Sequence, residues 1–411
     1  QTLESAMGIR ALLAVCTLEC ETYRLDIINK DEKIVLKALI EDFELLNNRL
    51  TLFPGKGHDK VTEQIVTLVT DGLGLTAVDK PVLVAALRLQ GRHPKDYSPK
   101  VDIPLKPEMQ ADIACKTIFN HLLRAIKLNE QGIIADTDSE FLHDYRVAVR
   151  RTRVGLNEFN KILPGDVLGR YKEFFSWLGQ ITGETRDLDV YLLNFEQYKK
   201  KLPSSIRQSI NPLQHFLTIK KQKSHKQLAR KLRSSKYSIM LGEWKEYLAS
   251  TSSSQPMEAD AQLTIKELAD KRIWKIYKQA LKQGEAIDHH SPPEAFHKLR
   301  KTCKKLRYLM EFFQYLYPER RINKLINRLK HLQDVLGDYQ DYAVHQERLQ
   351  QFSEEMQAIN TPNKTFLAMG VLIQEFEHQK SKARDRFASR FMAFKKPATR
   401  ESFKALYSAG K

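Results

Sequence analysis

Two stretches decide how this chain folds: His143-Asp-Tyr-Arg-Val-Ala-Val-Arg-Arg-Thr-Arg153 and, 154 residues later, His297-Lys-Leu-Arg-Lys-Thr-Cys-Lys-Lys-Leu-Arg307. At about 100° per residue, His143, Arg146, Arg150 and Arg153 share an arc of about 80°, while Leu142, Ala148, Val149, Thr152 and Leu156 face the other way. The second stretch behaves identically, with His297, Arg300, Lys304 and Arg307 in the stripe and Leu299, Cys303, Leu306, Leu309 and Met310 opposite. Each is therefore expected to be an amphipathic helix carrying a row of cations, and ten residues of helix rise about 15 Å.

A row of cations without acids needs an explanation. Asp144 and Glu158 are the only acids from Phe141 to Lys161, neither lies in the stripe, and residues 296–310 contain none. Like charges three and four residues apart destabilise a helix unless an anion answers them. Arg offers a planar fork that matches phosphate oxygens, and Lys and protonated His add point charge. The rows are thus expected to bind an anion, against the plainer reading of a solvated face. His143 and His297, heading the rows, read equally as structural histidines or as phosphate ligands. They are expected to be partly protonated near neutral pH, with a pKa that bound phosphate raises.

The repeat extends beyond the stripes. The same offset of 154 pairs Arg151 with Lys305, Phe159 with Phe313, Pro164 with Pro318, Leu178 with Leu332, Gly183 with Gly337 and Asp187 with Asp341. Thr137-x-x-Glu140 and Ser291-x-x-Glu294 read as capping boxes opening the two helices, and Pro164 and Pro318 as their stops. Helical periodicity runs through 108–131, 138–163, 165–181, 184–201, 204–232, 238–250, 260–286, 292–317, 319–336, 338–357 and 363–388. Two similar four-helix bundles related by a pseudo-twofold axis follow by duplication.

The first hundred residues differ. Ala11–Cys20, Tyr23–Ile28 and Lys33–Ile40 read as antiparallel strands, Lys60–Thr70 and Pro81–Leu89 as helices, and Gly91–Pro107 as a connector. The expected organisation is an α+β region over 1–104, a first bundle over 105–250, a Ser-rich linker over 251–260, a second bundle over 261–390 and a basic tail over 391–411.

With 67 Lys and Arg against 50 Asp and Glu, the 411-residue chain carries +17, of which residues 1–106 hold −1 and the remainder +18. Such a field attracts a polyanion: nucleic acid, acidic lipid or polymeric phosphate. Intrinsic disorder is excluded by 42% hydrophobic content, and no apolar run approaches the roughly 20 residues that span a bilayer. The chain opens at Gln1, as a fragment or processed product would, without the pattern of a secretory signal. Its four cysteines are too few for a disulfide framework, so free thiols in a reducing cytoplasm are expected.

The segment Phe141–Arg153 with Arg186-Asp-Leu-Asp189, and its copy His297–Tyr308 with Leu332-Gln-Asp-Val-Leu-Gly-Asp338, resembles the conserved histidine α-helical domain, CHAD, over about residues 107–390. The resemblance implies two pseudo-symmetric bundles whose basic surface binds inorganic polyphosphate. It carries that role to His143, Arg146, Arg150, Arg151, Arg153 and Arg186, and to His297, Arg300, Lys304, Lys305, Arg307 and Lys330. Residues 1–100 look like the C-terminal half of a CYTH, or triphosphate tunnel, domain. That fold's Glu-x-Glu-x-Lys motif is missing: Glu19-Cys20-Glu21 supplies paired acids, but Tyr23 stands where Lys belongs.

Asp187, Asp189, Asp338 and Asp341 are candidates for a divalent metal, but pairing with neighbouring Arg or Lys is the favoured reading. His289-His290 lacks a partner at ligand spacing, Gly55-Lys-Gly57 is too short for a phosphate loop, and no nucleophile–base pattern stands out. The expectation is a polyphosphate-binding module, not an enzyme, with no cofactor, no resident metal and no membrane partner. Nucleic acid would be a weak competitor, and the setting would be the cytoplasm at polyphosphate granules. The alternatives are a metal-dependent inorganic triphosphatase and general nucleic-acid binding.

Overall fold

The computed structural model describes residues 13–93, 101–250, 260–288 and 290–408. The chain divides into two compact units, one over residues 11–98 and the other from residue 99 onward. The smaller unit is a three-stranded antiparallel sheet in the order β1-β2-β3: β1 (Cys20–Ile28), β2 (Ile34–Phe43) and β3 (Arg49–Pro54). Helices α1 (Asp59–Thr67) and α2 (Val82–Leu89) follow it. Its core is Val35, Leu36, Ala38 and Phe43 of the middle strand with Ala86 and Leu87 of α2. The expected strand over Ala11–Cys20 is not formed by the described residues 13–19, and β3 had no sequence expectation.

The larger unit is helical: α3 (Ala111–Ile134), α4 (Ser139–Glu158), α5 (Gly165–Ile181), α6 (Gly183–Lys200), α7 (Asn211–Leu232) and α8 (Ser235–Ala249), then α9 (Ile265–Glu285), α10 (Pro293–Phe312), α11 (Glu319–Gln357), α12 (Asn363–Lys395) and α13 (Pro397–Tyr407). The starts of α3 and α9, of α4 and α10, and of α5 and α11 are each 154 residues apart. The duplication is visible in contacts as well. Ala111 donates its backbone N–H to Leu263 at 3.0 Å while Ile265 donates to Met109 at 2.8 Å, and these bonds interchange under the 154-residue shift. Phe159 and its duplicate Phe313 pack at 5.9 Å between centroids. Tyr191 and its duplicate His345 lie at 4.6 Å, with the Tyr191 hydroxyl donating to the His345 carbonyl at 2.8 Å. A residue that touches its own duplicate sits on the axis relating the copies.

One large core joins both copies around Phe159, Phe312 and Phe313. A second core takes Leu188, Tyr191 and Phe195 of α6 and Leu217 of α7 from the first copy, and Leu349 and Phe352 of α11 and Phe376 of α12 from the second. The bundles therefore interlock rather than stand side by side.

Several expectations are corrected. The cap of α4 is Asp138, which accepts from the Glu140 N–H, not Thr137; α10 begins behind Pro292 without a side-chain cap. A true capping box opens α9 instead, between Thr264 and Glu267. The two segments expected over 319–336 and 338–357 are one 39-residue helix. The first copy breaks at Thr182, whose hydroxyl bonds back to Leu178 at 2.7 Å; its duplicate Leu336 is buried and leaves the helix intact. Residues 391–411 do not form a solvated tail over their described part: Phe391, Phe394, Phe403, Leu406 and Tyr407 are buried. Val101, Ile103 and Leu105, from the end of the expected connector, are also buried in the helical core. Of the expected linker, residues 251–259 lie outside the described residues.

Phe159 is fully buried at the axis. Phe159→Ala is expected to destabilise the helical unit by about 3–5 kcal/mol, measured by urea unfolding followed by helix ellipticity.

Candidate anion-binding site

Helix α4 buries Leu142, Tyr145, Val149, Thr152 and Leu156, which turns His143, Arg146, Arg150 and Arg153 to its flank. Helix α10 does the same with Leu299, Cys303, Leu306 and Leu309, presenting His297, Arg300, Lys304 and Arg307. The next position around each helix serves a different purpose. Arg151 is buried, pairs with Glu311 of the other copy at 2.7 Å and lies over the Tyr308 ring. Its duplicate Lys305 pairs with buried Glu158 of the first copy at 2.8 Å. Arg151 and Lys305, expected to contact the anion, join the copies across the axis. Clamped in this way, α4 and α10 pack against each other, near enough for the charge of Arg150 to act on its duplicate Lys304.

Among the described residues, Arg150, Arg153 and Lys304 form no ion pair. The Nε groups of Arg146, Arg150, Arg300 and Arg307 are buried without a hydrogen-bond partner there. Burial, then the neighbouring Arg300 and Arg150, pulls the Lys304 ammonium down to about 8. Burial, then Arg150, pulls Arg146 down to about 10. Both directions mean that the site holds positive charge under strain and gains from a negative guest.

The copies are not equivalent. Arg146 donates to the Gly179 carbonyl at 3.0 Å and to the Thr182 hydroxyl at 2.7 Å. At the Thr182 position the second copy has Leu336, and Arg300 turns to Asp341 at 3.1 Å instead. Asp187, the duplicate of Asp341, pairs across the copies with Arg348 at 3.4 Å. Asp338 pairs with Arg386 at 2.9 Å, and buried Asp189 lies 3.9 Å from Lys221, its pKa pushed up to about 6 mainly by burial. All four candidate metal carboxylates thus face cations. Arg348 and Arg386 had no sequence signal, their duplicates being Asn194 and Leu232, whereas Gln340 was open to discovery as the duplicate of Arg186.

The two histidines also differ. Arg186 donates to Nδ1 of His143 at 3.0 Å, and a guanidinium has no acceptor to offer, so the His143 proton sits on Nε2. Burial, followed by the Arg186 charge, holds His143 below the usual imidazole value, neutral at pH 7 rather than partly protonated. Exposed His297 shares a hydrogen bond of 2.8 Å with Gln340 through Nδ1. Glu140, His143 and Asp144 bring potential ligand atoms within 4.8 Å of one another, although Arg186 already occupies Nδ1. Arg186 therefore joins the site through His143. Lys330 is exposed on α11, and no hydrogen bond or ion pair ties it to either row.

The CHAD domain family matches residues 117–350, more than half of the chain, and this chain belongs to that family. The crystal structure of the CHAD domain from the plant Ricinus communis superposes with a TM-score of 0.57 at 22% identity, covering 76% of this chain and 96% of that one. PptA from Streptomyces chartreusis superposes with a TM-score of 0.51 at 18% identity, covering 69% of this chain and 99% of that one. Both share the fold. Uncharacterized proteins from two Mycobacterium tuberculosis strains are 24% identical over 285 residues, 67% of this chain; the chain spans 51% of their length. The sheet over residues 20–54 lies outside the family match. No helix among the described residues is long and apolar enough to cross a membrane.

Lys304 has a folded pKa below its unfolded value of 10.5, so its charge costs stability in full below about pH 8, and stability recovers as pH rises between those values. Lys304→Met is expected to raise the thermal midpoint of the unliganded protein at pH 7 and to abolish the gain on moving to pH 9.5, both measured by calorimetry.

Proposed function

We propose that this chain binds inorganic polyphosphate along the paired rows of α4 and α10, as a binding module rather than an enzyme. The observation that carries the reading is that Arg150, Arg153 and Lys304, on rows whose charges act on one another, form no ion pair among the described residues, while the acid that acts on Lys304, Asp341, is paired with Arg300. Cations forced together without a counter-ion lose stability in the free protein and regain it when phosphate oxygens enter. A linear polymer with one negative charge per repeat can run along both rows, contacting Arg146, Arg150 and Arg153 on one side and Arg300, Lys304 and Arg307 on the other. His143, neutral with its proton on Nε2, adds a donor at one end. Membership of the CHAD family supports this choice of anion, and the proposal includes a setting at polyphosphate granules in the cytoplasm.

The triphosphatase alternative draws less support. Glu21 accepts a hydrogen bond from Tyr23 at 2.8 Å, so the residue standing in the place of the expected Lys ties down one of the two acids it should assist.

Reversing the central pair, Arg150→Glu with Lys304→Glu, should abolish polyphosphate binding in a fluorescence titration while leaving the helical circular-dichroism signal intact. Unchanged affinity would overturn the reading, as would ready displacement of polyphosphate by duplex DNA at equal phosphate concentration. Affinity should also fall between pH 8 and 10 as Lys304 loses its proton, and Lys304→Arg should flatten that profile because Arg stays charged.

A further inference from the structure

We propose that the outer face of α7 is a second contact surface for polyphosphate, engaged only by chains long enough to extend past the paired rows. This deepens the reading above and rests on it. Residues 197–242 contain twelve Lys and Arg and no Asp or Glu, whereas the duplicate stretch 351–396 contains eight and five. The concentration of charge is therefore a property of the first copy alone and not of the duplicated fold.

Within that stretch Lys223, Lys226, Arg230 and Arg233 repeat the spacing of His143, Arg146, Arg150 and Arg153. They share an arc of about 80°, centred opposite Leu213, Leu217, Ser224 and Leu228, which are buried. All four cations are exposed, and among the described residues none forms an ion pair. Among the described residues, the acids that pair with α7 meet its inner lysines: Lys220 pairs with Glu355 at 2.5 Å, and Lys221 with Asp136 at 2.6 Å and Asp189 at 3.9 Å. In the second copy the same four positions are Glu377, Lys380, Arg384 and Phe387, and Glu377 neutralises Lys380 at 2.7 Å.

The two surfaces belong to neighbouring helices. The inner side of α7 is fastened to α6, where Ser224 hydrogen-bonds Thr185 at 2.7 Å, and the residue after Thr185 is Arg186, which holds His143. The cation face of α7 points away from that contact, so only a polymer long enough to pass around α7 engages both surfaces. Residues 223–233 offer no Phe, Tyr or Trp on which a base could stack, and their apolar members Leu228, Ala229 and Leu232 are buried, leaving nothing to insert into a bilayer. A single file of cations fits a bare chain of phosphates.

The test compares the full chain with a variant combining Lys223→Gln, Lys226→Gln, Arg230→Gln and Arg233→Gln, titrated with tripolyphosphate and with long-chain polyphosphate. Helix content serves as the folding control. The expected result is a rise of about tenfold or more in Kd for the long chain, a salt slope lower by about 3 at roughly 0.7 per lost contact, and unchanged tripolyphosphate binding. Unchanged long-chain affinity would overturn the proposal. So would an equal loss for tripolyphosphate, or a loss confined to duplex DNA or anionic vesicles. The Arg150→Glu, Lys304→Glu protein is read separately: if it binds both ligands like the parent, the paired-row reading fails whatever the α7 variant does.

Discussion

Two ion pairs hold like charges against each other in this protein. Arg151 reaches Glu311 and Lys305 reaches Glu158, each pair crossing from one copy to the other. The residues immediately before them, Arg150 and Lys304, are thereby brought within reach of each other's charge, and neither forms an ion pair among the described residues. Adjacent positions on a helix point about 100° apart, so one dipeptide both fastens the copies together and aims a cation into the space between them. The aromatic contact of Phe159 with Phe313 adds apolar burial to the same seam. Breaking either ion pair would leave a charge buried or half-buried, so the seam that concentrates positive field is difficult to relax.

Much of this was legible in the sequence because duplication writes its own evidence. The offset of 154 residues was readable from His143 and His297 onward, and helical periodicity located the segments on either side. What failed was whatever depends on distance along the chain. Arg151 and Lys305 looked like members of a basic row because their acid partners, Glu311 and Glu158, lie 160 and 147 residues away in sequence. Within each stripe only local acids could be counted, and local acids were scarce. The pairing of Asp187 with Arg348, similarly remote, gave no signal. The helical end of the chain read as a tail because its charges are plain, while the burial of Phe403 and Tyr407 depends on packing against Tyr277 and Tyr317 far upstream.

Single substitutions between the copies explain how they have diverged. Thr182 gives Arg146 a neutral acceptor and breaks the helix; Leu336 gives Arg300 none, and Arg300 pairs with Asp341 on an unbroken helix. A hydroxyethyl side chain exchanged for an isobutyl group thus accompanies a change in both backbone continuity and the electrostatic state of an arginine on the preceding α-helix. The same drift leaves α7 with uncompensated lysines and arginines while its counterpart α12 has acquired acids.

The pseudo-twofold axis has a consequence for any linear guest. A homopolymer of phosphate has no chemical direction, and reversing it end for end presents the same sequence of charges to a site whose two sides are related by rotation. Two threadings are then nearly degenerate, and full degeneracy would contribute about 0.4 kcal/mol, the value of RT ln 2, without a single added contact. The two sides differ in where one acid is spent: Asp341 pairs with Arg300 of its own row, whereas its duplicate Asp187 pairs with Arg348 and leaves Arg146 to Thr182. Under the proposed function the site would be a slightly biased reader of an unlabelled tape, with polarity supplied by the protein rather than by the polymer.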